Sequence, residues 1–134
     1  MKDSLQAGIS KTVTFEIDRE RTIDFMGEDA RVYATPMLVR DIEIACRDLL
    51  LEHLDPGEDS VGTRVEIDHL AATLMRMKVE LIVTLTELKG RAAAFDIIGR
   101  DSVEPICRGL HRRFIVDVKT TEQRLAAKAA KAGL

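Results

Sequence analysis

The sequence predicts an α+β fold in which a curved antiparallel sheet wraps around one long central helix. Two observations indicate this class. Residues 35–54 form the strongest helical pattern, and most other apolar residues occur in short runs that alternate with polar residues or are rich in β-branched side chains. Runs of strands with one segregated helix are typical of α+β domains. The 134 residues suffice for a single domain, with its core at about residues 11–118.

The central helix is predicted over Thr35–Leu54 (TPMLVRDIEIACRDLLLEHL). Thr35 is a good N-cap, because its hydroxyl can accept a hydrogen bond from a free backbone N–H, and Pro36 suits the first helical position. Asp55-Pro56-Gly57 ends the helix, since proline cannot continue it. At 100° per residue, one wide arc of the helix is apolar. This arc contains Leu38, Val39, Ile42, Ala45, Cys46, Leu49, Leu50 and His53.

A second, narrower apolar stripe on the same helix contains Met37, Ile44 and Leu51. Two stripes indicate burial against two neighbours. We expect one to be the sheet, and the other to be either another part of the sheet or a second subunit. Glu43 lies at the margin of the wide arc, so a carboxylate stands at the edge of the predicted core.

Strands are predicted on both sides of this helix. Lys11–Ile17 alternates apolar and polar residues, and residues 18–31 are a polar loop. After a connector at residues 55–62, the run Arg64–Leu70 alternates again. This alternation places Val65, Ile67 and His69 on one face of the strand.

The second half of the chain continues with strand patterns. Lys78–Leu88 is rich in β-branched residues, and Lys89-Gly90 permits a hairpin into residues 91–98. That run, RAAAFDII, is ambiguous because its alanines favour helix. A turn at residues 99–102 leads into residues 103–118, which end as a strand. The tail has the composition of a short surface helix at about residues 120–132.

Composition excludes several functional classes. A net charge of −3 and only 4% aromatic residues argue against nucleic acid as a partner. No apolar run is long enough to cross a membrane, and the N-terminus lacks the pattern of a secretory signal. The separated Cys46 and Cys107 predict buried, inert thiols in a reducing compartment, so we expect a cytoplasmic protein. Metal-binding motifs are absent and the three histidines are scattered, so no metal site is expected.

Three polar residues stand on elements that face the predicted core: Thr35, Glu43 and His69. Histidine suits general-base chemistry near neutral pH, Glu43 can orient the imidazole, and the Thr35 hydroxyl can position a substrate or water beside the N–H groups at the helix N-terminus. The simpler interpretation is that Thr35 is a cap, Glu43 reaches solvent and His69 is a satisfied core histidine. The pattern alone favours this simpler interpretation.

A basic cluster lies on the last predicted strand and contains Arg108, His111, Arg112 and Arg113. Alternation places His111 and Arg113 on one face and Arg108 and Arg112 on the other. Exposed strand arginines are usually only solvated, which is the favoured interpretation. The functional alternative is recognition of a ligand that carries phosphate.

Four segments follow one another in a distinctive order and spacing: Tyr33–Val39 (YATPMLV), Ile42-Glu43, Glu52–Thr63 (EHLDPGEDSVGT) and His69–Thr73 (HLAAT). Together they resemble the fluoroacetyl-coenzyme A thioesterase-like family of hot-dog-fold enzymes. The resemblance extends from about Lys11 to Val118.

The resemblance implies a curved antiparallel sheet around one helix, with residues 91–98 as a strand. It also implies a homodimer or a dimer of dimers with active sites at the interface. Thr35, Glu43 and His69 match the catalytic threonine, glutamate and histidine of the family, with His69 as the general base and Glu43 either as its partner or, in place of water, as the nucleophile. Gly62 matches a glycine whose N–H helps hold the thioester carbonyl, and Arg113 matches an arginine near the active site. Coenzyme A would be part of the substrate, so no separate cofactor is expected.

The segment before Thr35 departs from the family pattern. Residues 25–32 (FMGEDARV) are short and polar where the specialist enzyme carries a lid of bulky aromatics, and Arg40-Asp41 replaces small or apolar residues. We therefore expect hydrolysis of a small or medium acyl-coenzyme A without fluoroacetyl specificity, and Arg40-Asp41 to reshape the pocket mouth. The alternatives are a non-catalytic acyl-coenzyme A-binding module and, less favoured, a hydratase or dehydratase.

Overall fold

The computed structural model describes residues Met1–Leu134 and contains five strands and two α-helices. The elements in chain order are β1 (Ser10–Glu16), α1 (Thr35–Leu51), β2 (Glu58–His69), β3 (Lys78–Lys89), β4 (Ala92–Asp101), β5 (Pro105–Asp117) and α2 (Val118–Lys131). Short 3₁₀ turns at Arg19–Arg21 and Glu28–Ala30 precede α1. Neither α-helix is both long and apolar enough to cross a membrane.

All five strands form one antiparallel sheet in the order β1-β3-β4-β5-β2, and α1 packs across one face. The predicted α+β class is therefore confirmed. The core lies between the helix and this face because alternate residues of the strands point toward α1. The fully buried side chains that meet there include Leu38, Ile42, Leu49 and Leu50 of α1 and Leu81, Leu85, Phe95, Ile97 and Ile115 of the sheet.

Most of the predicted strands are confirmed. The run at residues 91–98, ambiguous by composition, belongs to β4 from Ala92 onward, where Ala93, Phe95 and Ile97 are buried and their neighbours are more exposed. The alanines sit in a strand because pairing with β3 and β5 on both sides outweighs their weak helical preference. Gly90 makes the β3–β4 turn with a φ of 58°, which glycine adopts without strain. The tail helix is confirmed as α2, and none of its residues is buried.

Several predicted boundaries are wrong. Helix α1 ends at Leu51 rather than Leu54, and β4 continues through Asp101 instead of turning at residue 99. The connector at residues 55–62 is only partly a loop, because β2 begins at Glu58, opposite Asp117 of β5. Long-range pairing with β5 therefore overrides the turn-forming composition of this segment. Ile44, in the second apolar stripe, is 42% exposed, so the chain covers it only in part.

A β-bulge in β2 determines which of its side chains face the helix. Gly62 pairs with Arg113 and Arg64 pairs with Arg112, so Thr63 is an extra residue between them. Before the bulge, even-numbered residues share the face of Arg113; after it, odd-numbered residues share the face of His111. The bulge therefore puts both Gly62 and His69 on the helix-covered face, which strict alternation would not allow.

Candidate active site

Thr35 and His69 meet where the start of α1 passes the end of β2. Thr35 Oγ1 lies 2.8 Å from Nδ1 of His69. The prediction that Thr35 is the N-cap is wrong: Ala34 occupies that position and Thr35 is the first residue of the helix. Its hydroxyl is therefore not used for capping and bonds the imidazole instead. The inward placement of His69 by alternation agrees with this contact.

The environment of His69 favours its neutral form. Burial lowers the pKa of His69 below its usual value. The ring of Tyr33 packs edge-on against the imidazole, with ring centroids 6.1 Å apart. Nε2 of His69 is buried and has no hydrogen-bond partner in the chain. An unpartnered buried nitrogen is rare and calls for a partner from a ligand or another chain.

A buried network behind His69 holds Tyr33 in place. The Tyr33 hydroxyl donates to Asp41 Oδ2 at 2.5 Å, and Arg21 Nε donates to the same oxygen at 2.9 Å. Asp41 is only 5% exposed, so its carboxylate lies inside this network rather than in solvent. Burial and the neighbouring Asp41 carboxylate raise the pKa of Tyr33 far above its usual range, and the hydroxyl therefore remains a donor. The sequence pattern gave no sign of this network.

A second polar cluster surrounds Glu43, more than two turns further along α1. Arg113 Nη1 donates to Glu43 Oε2 at 3.3 Å, while Nε and Nη2 of Arg113 donate at 2.7 Å to the hydroxyl and carbonyl of Ser60. A methyl group added at Gly62 would lie 3.0 Å from Glu43 Oε2 and 3.3 Å from Cε1 of His111. Glycine therefore allows this part of β2 to approach the glutamate.

Arg113 is buried, at 4% exposure, so the favoured interpretation of the basic cluster as solvated is wrong for this residue. His111 is also fully buried beside it, whereas Arg108 and Arg112 are exposed on the other face, as alternation predicts. His111 was not among the predicted site residues. The shared face of His111 and Arg113 was the signal that could have identified it.

Within one chain, the two clusters are separate. Glu43 lies beside Gly62, and His69 lies seven residues further along β2, roughly 20 Å away at the rise of an extended strand. The structure therefore does not bring Glu43 to His69 in the same chain. It brings Thr35 to His69, and Glu43 to Gly62 and Arg113. The predicted site residues form two half-sites at opposite ends of β2.

The strand order and the helix packed across the sheet are those of the hot-dog fold. A hot-dog-like protein from Thermanaerovibrio acidaminovorans superposes with a TM-score of 0.84 over 91% of each chain, at 20% sequence identity. The model of the fluoroacetyl-CoA-specific thioesterase (FlK) family matches residues 17–119. The chain therefore belongs to this family, and it is a thioester hydrolase.

Two relatives from the same family are similar over almost the whole chain. The fluoroacetyl-CoA thioesterase of Streptantibioticus cattleyicolor is 27% identical over 96% of this chain and 97% of its own. A solved variant of a fluoroacetyl-CoA-specific thioesterase, in complex with fluoroacetate and CoA, has a TM-score of 0.81 and 27% identity. That match covers 87% of this chain and 99% of the variant.

Proposed function

We propose that the protein hydrolyses a small or medium acyl-coenzyme A thioester to the free acid and coenzyme A. The observation that carries this proposal is the hydrogen-bond contact between Thr35 and a His69 whose pKa is lowered, at the first turn of α1. The solved relative that contains CoA supports the substrate class. Coenzyme A is then part of the substrate, and the reaction uses no separate cofactor.

In the proposed reaction, His69 is the general base. The Thr35 hydroxyl relays a proton from water to Nδ1 of His69 while the water oxygen adds to the thioester carbonyl carbon. The C–S bond then breaks, and His69 returns the proton to the departing thiolate. The products are the carboxylic acid and coenzyme A. A thioester carbonyl is already electrophilic, so a positioned base and modest polarisation are sufficient.

The start of α1 provides part of that polarisation. Pro36 has no N–H, and the N–H groups of Met37 and Leu38 both donate to the Ala34 carbonyl. Thr35 therefore carries the one first-turn N–H that the helix itself does not use, close to its own hydroxyl. No acidic residue stands in this turn to oppose a developing oxyanion.

We further propose that the active site is completed by a second protomer. Strand β2 lies at the sheet edge, so its outer backbone groups can pair with another strand. A two-fold axis near the middle of β2 brings the His69 end of one strand beside the Gly62 end of the other. The partner's Glu43 then reaches the unpartnered Nε2 of His69, and the partner's Gly62 reaches the carbonyl. The assembly is a homodimer or a dimer of such dimers.

We place this enzyme in the cytoplasm. Both cysteines are free and buried, and burial raises the pKa of Cys46 to about 12 and that of Cys107 to about 11. Thiols in this state are unreactive, which suits a protein that is kept reduced.

Thiol release from a panel of short, medium and aryl acyl-coenzyme A thioesters tests the activity. We expect turnover of at least one substrate. His69→Ala should reduce kcat for that substrate by about 100-fold or more, as is usual when a general base is removed. His53→Ala is the matched control, since His53 bonds Ser4 at the other end of α1. Full turnover by His69→Ala would contradict the proposal. Thermal stabilisation by the ligands without any thiol release would also contradict it and would indicate a binding module.

Complementation between two inactive variants tests the shared site. A heterodimer of His69→Ala and Glu43→Gln chains has one site with both native residues and one site with neither. Random mixing after co-refolding should therefore restore roughly a quarter of native activity. Activity that stays at the level of the two separate variants shows that each site lies within one chain.

The segment before α1 determines the expected specificity. Phe25 is 78% exposed, and no other aromatic residue lies between it and Tyr33. Without an aromatic lid, the pocket distinguishes acyl groups of similar size weakly, so kcat/KM for fluoroacetyl- and acetyl-coenzyme A should differ by less than about tenfold. A much larger preference for the fluorinated substrate would show that another part of the site selects fluorine.

A further inference from the structure

His111 lies in the centre of the Glu43 cluster, although neither the proposed reaction nor the predicted site uses it. The side chain is fully buried on β5 and stacks on Phe95 of β4, with centroids 6.5 Å apart. Nδ1 lies 2.8 Å from the carbonyl oxygen of Arg64, and Nε2 lies 3.2 Å from Nη1 of Arg113. Both ring nitrogens therefore have a partner.

These two partners determine the protonation state of the ring. A carbonyl oxygen only accepts, so Nδ1 of His111 carries the hydrogen and donates it to Arg64. A guanidinium only donates, so Nε2 must present its lone pair to Arg113. His111 is therefore neutral, in the Nδ1–H tautomer. Each of its two bonds would be lost in the other tautomer.

The bond from Arg113 to His111 fixes the direction of the guanidinium. Nη1 carries two N–H groups; one points to His111 Nε2 and the other to Glu43 Oε2. Ser60 accepts from the other two nitrogens. Without the acceptor at His111, Nη1 keeps only its 3.3 Å contact with Glu43, so the guanidinium can shift about its two bonds to Ser60. The opposite side of the imidazole holds Arg64, the first residue after the Thr63 bulge.

We propose that His111 is a positioning residue that aims Arg113 at Glu43, and that the bond from Nδ1 to the Arg64 carbonyl holds the imidazole in the tautomer that this requires. This inference rests on the proposed function, in which Glu43 and Gly62 complete the site of the partner protomer. His111 does not touch the substrate in this role. It acts through Arg113.

Acid should weaken this arrangement. The groups that face His111 are Arg113 on its own strand, Glu43 of α1, the Arg64 carbonyl of β2 and the apolar ring of Phe95 on β4. A proton on Nε2 would point at the Arg113 cation and displace its hydrogen bond. Burial, together with Arg113, lowers the pKa of His111, although the Arg64 carbonyl opposes the shift. The neutral form is thereby maintained near neutral pH.

Two substitutions separate positioning from packing. In His111→Gln, the amide oxygen stands near the place of Nε2 and can accept from Arg113. In His111→Asn, the amide stands near Nδ1 and leaves Arg113 without its acceptor. We expect His111→Gln to keep kcat within a few-fold and His111→Asn to lose about tenfold or more in kcat, at similar melting temperatures and similar KM. His53→Gln and His53→Asn are matched controls and should change nothing.

The pH profile provides a second comparison. In the native protein, both His69 and His111 must be neutral, so log kcat should fall with a slope approaching 2 at low pH. In His111→Gln, one titrating group is removed and the slope should approach 1. If both substitutions reduce kcat equally and in proportion to lost stability, or if the slope is the same in both proteins, His111 is only a packing residue.

A measurement that does not depend on turnover tests the role of His111 separately from the proposed hydrolysis. Nitrogen-15 NMR of the histidine rings should show His111 as the Nδ1–H tautomer at neutral pH, whether or not any thioester is hydrolysed. Absence of thiol release across the substrate panel would reject the hydrolase and leave this test intact. An Nε2–H tautomer or a charged ring at neutral pH would overturn the positioning role.

Discussion

A single-residue shift in the helix start decides the chemistry of Thr35. Had Thr35 been the N-cap, its hydroxyl would bond a backbone N–H of the first turn. Because Ala34 takes that position, the hydroxyl is 2.8 Å from the imidazole of His69. The identity of both residues and the inward direction of His69 were predictable from pattern. Their contact was not, because it depends on where a helix begins relative to the end of a strand.

Asp41 shows a different limit of prediction at the residue scale. Nothing in the helical pattern marks it as a buried residue. In the structure, it is buried and holds both the Tyr33 hydroxyl and Arg21. A buried carboxylate is tolerated when its oxygens are paired. The two partners come from residues 21 and 33, a segment whose path over the helix no local pattern specifies.

Replacing Tyr33 and Asp41, singly and together, should reveal how strongly their hydrogen bond stabilises the fold. Tyr33→Phe leaves a buried carboxylate with one donor fewer, and Asp41→Leu leaves a buried hydroxyl without an acceptor. We expect each to reduce the free energy of unfolding by about 1–3 kcal/mol. The double variant should cost less than the sum of the two because it leaves a mostly apolar pair in place of the hydrogen bond.

Urea unfolding of the four proteins in this cycle measures the coupling. Phe25→Ala is a suitable control, since Phe25 is largely exposed in the same segment. Additive losses for Tyr33→Phe and Asp41→Leu would mean that their hydrogen bond contributes little. A drop in kcat that exceeds the change in folded fraction would indicate that Tyr33 also orients His69.

At the scale of elements, strand β2 contributes most to the site and was the least completely predicted. Its second half alternates clearly and was recognised as a strand. Its first half resembles a connector, because the turn-forming residues Asp55-Pro56-Gly57 come directly before it and Gly62 lies within it. Only pairing with the end of β5 defines this half as strand. The bulge at Thr63 is equally invisible, because it is a mismatch between two strands distant in sequence.

Deleting Thr63 tests the contribution of the bulge. The deletion leaves Gly62 and His69 six positions apart, so strict alternation keeps both on the helix-covered face, while the bend and extra twist of the bulge between them are lost. We expect activity to fall by about 100-fold or more, as is typical when catalytic groups are misplaced, while circular dichroism still shows the mixed helix and strand content. Thr63→Ala, which keeps the residue count, is the control and should retain most activity. Activity retained by the deletion would show that the bend at the bulge is not needed to position Gly62 and His69.

At the scale of the whole molecule, the chain presents two half-sites that it cannot join by itself. Thr35 and His69 stand at one end of β2, and Glu43, Gly62 and Arg113 stand at the other. The sequence pattern identified the members, and the family resemblance implied an interface. Together they suggested that Glu43 is the partner of His69 across the core. That contact is not made within one chain, because Glu43 lies beside Gly62 and His69 lies roughly 20 Å further along β2.

The two buried histidines should also make the stability of the whole molecule depend on pH in a defined window. Burial lowers the native pKa of His69 and of His111, so the unfolded chain takes up these protons first as the pH falls below about 6.5. Stability therefore rises with pH across this range and is fully present above it. Carboxylates such as Glu28, whose pKa is lowered to about 2 by its hydrogen bonds with Arg19 and Arg31, lose their contribution only below their unfolded value of 4.5.

Between pH 4.5 and 6.5, the change of stability with pH therefore arises mainly from His69 and His111. Urea unfolding should show that the free energy of unfolding falls, as the pH is lowered, by up to about 1.4 kcal/mol per pH unit for each of them. His111→Gln and His69→Gln should each remove one such contribution, and His53→Gln is the comparison. Because the native protein binds fewer protons than the unfolded chain, the slope must be positive with rising pH. A flat native curve over this interval would mean that neither imidazole is held neutral by the fold.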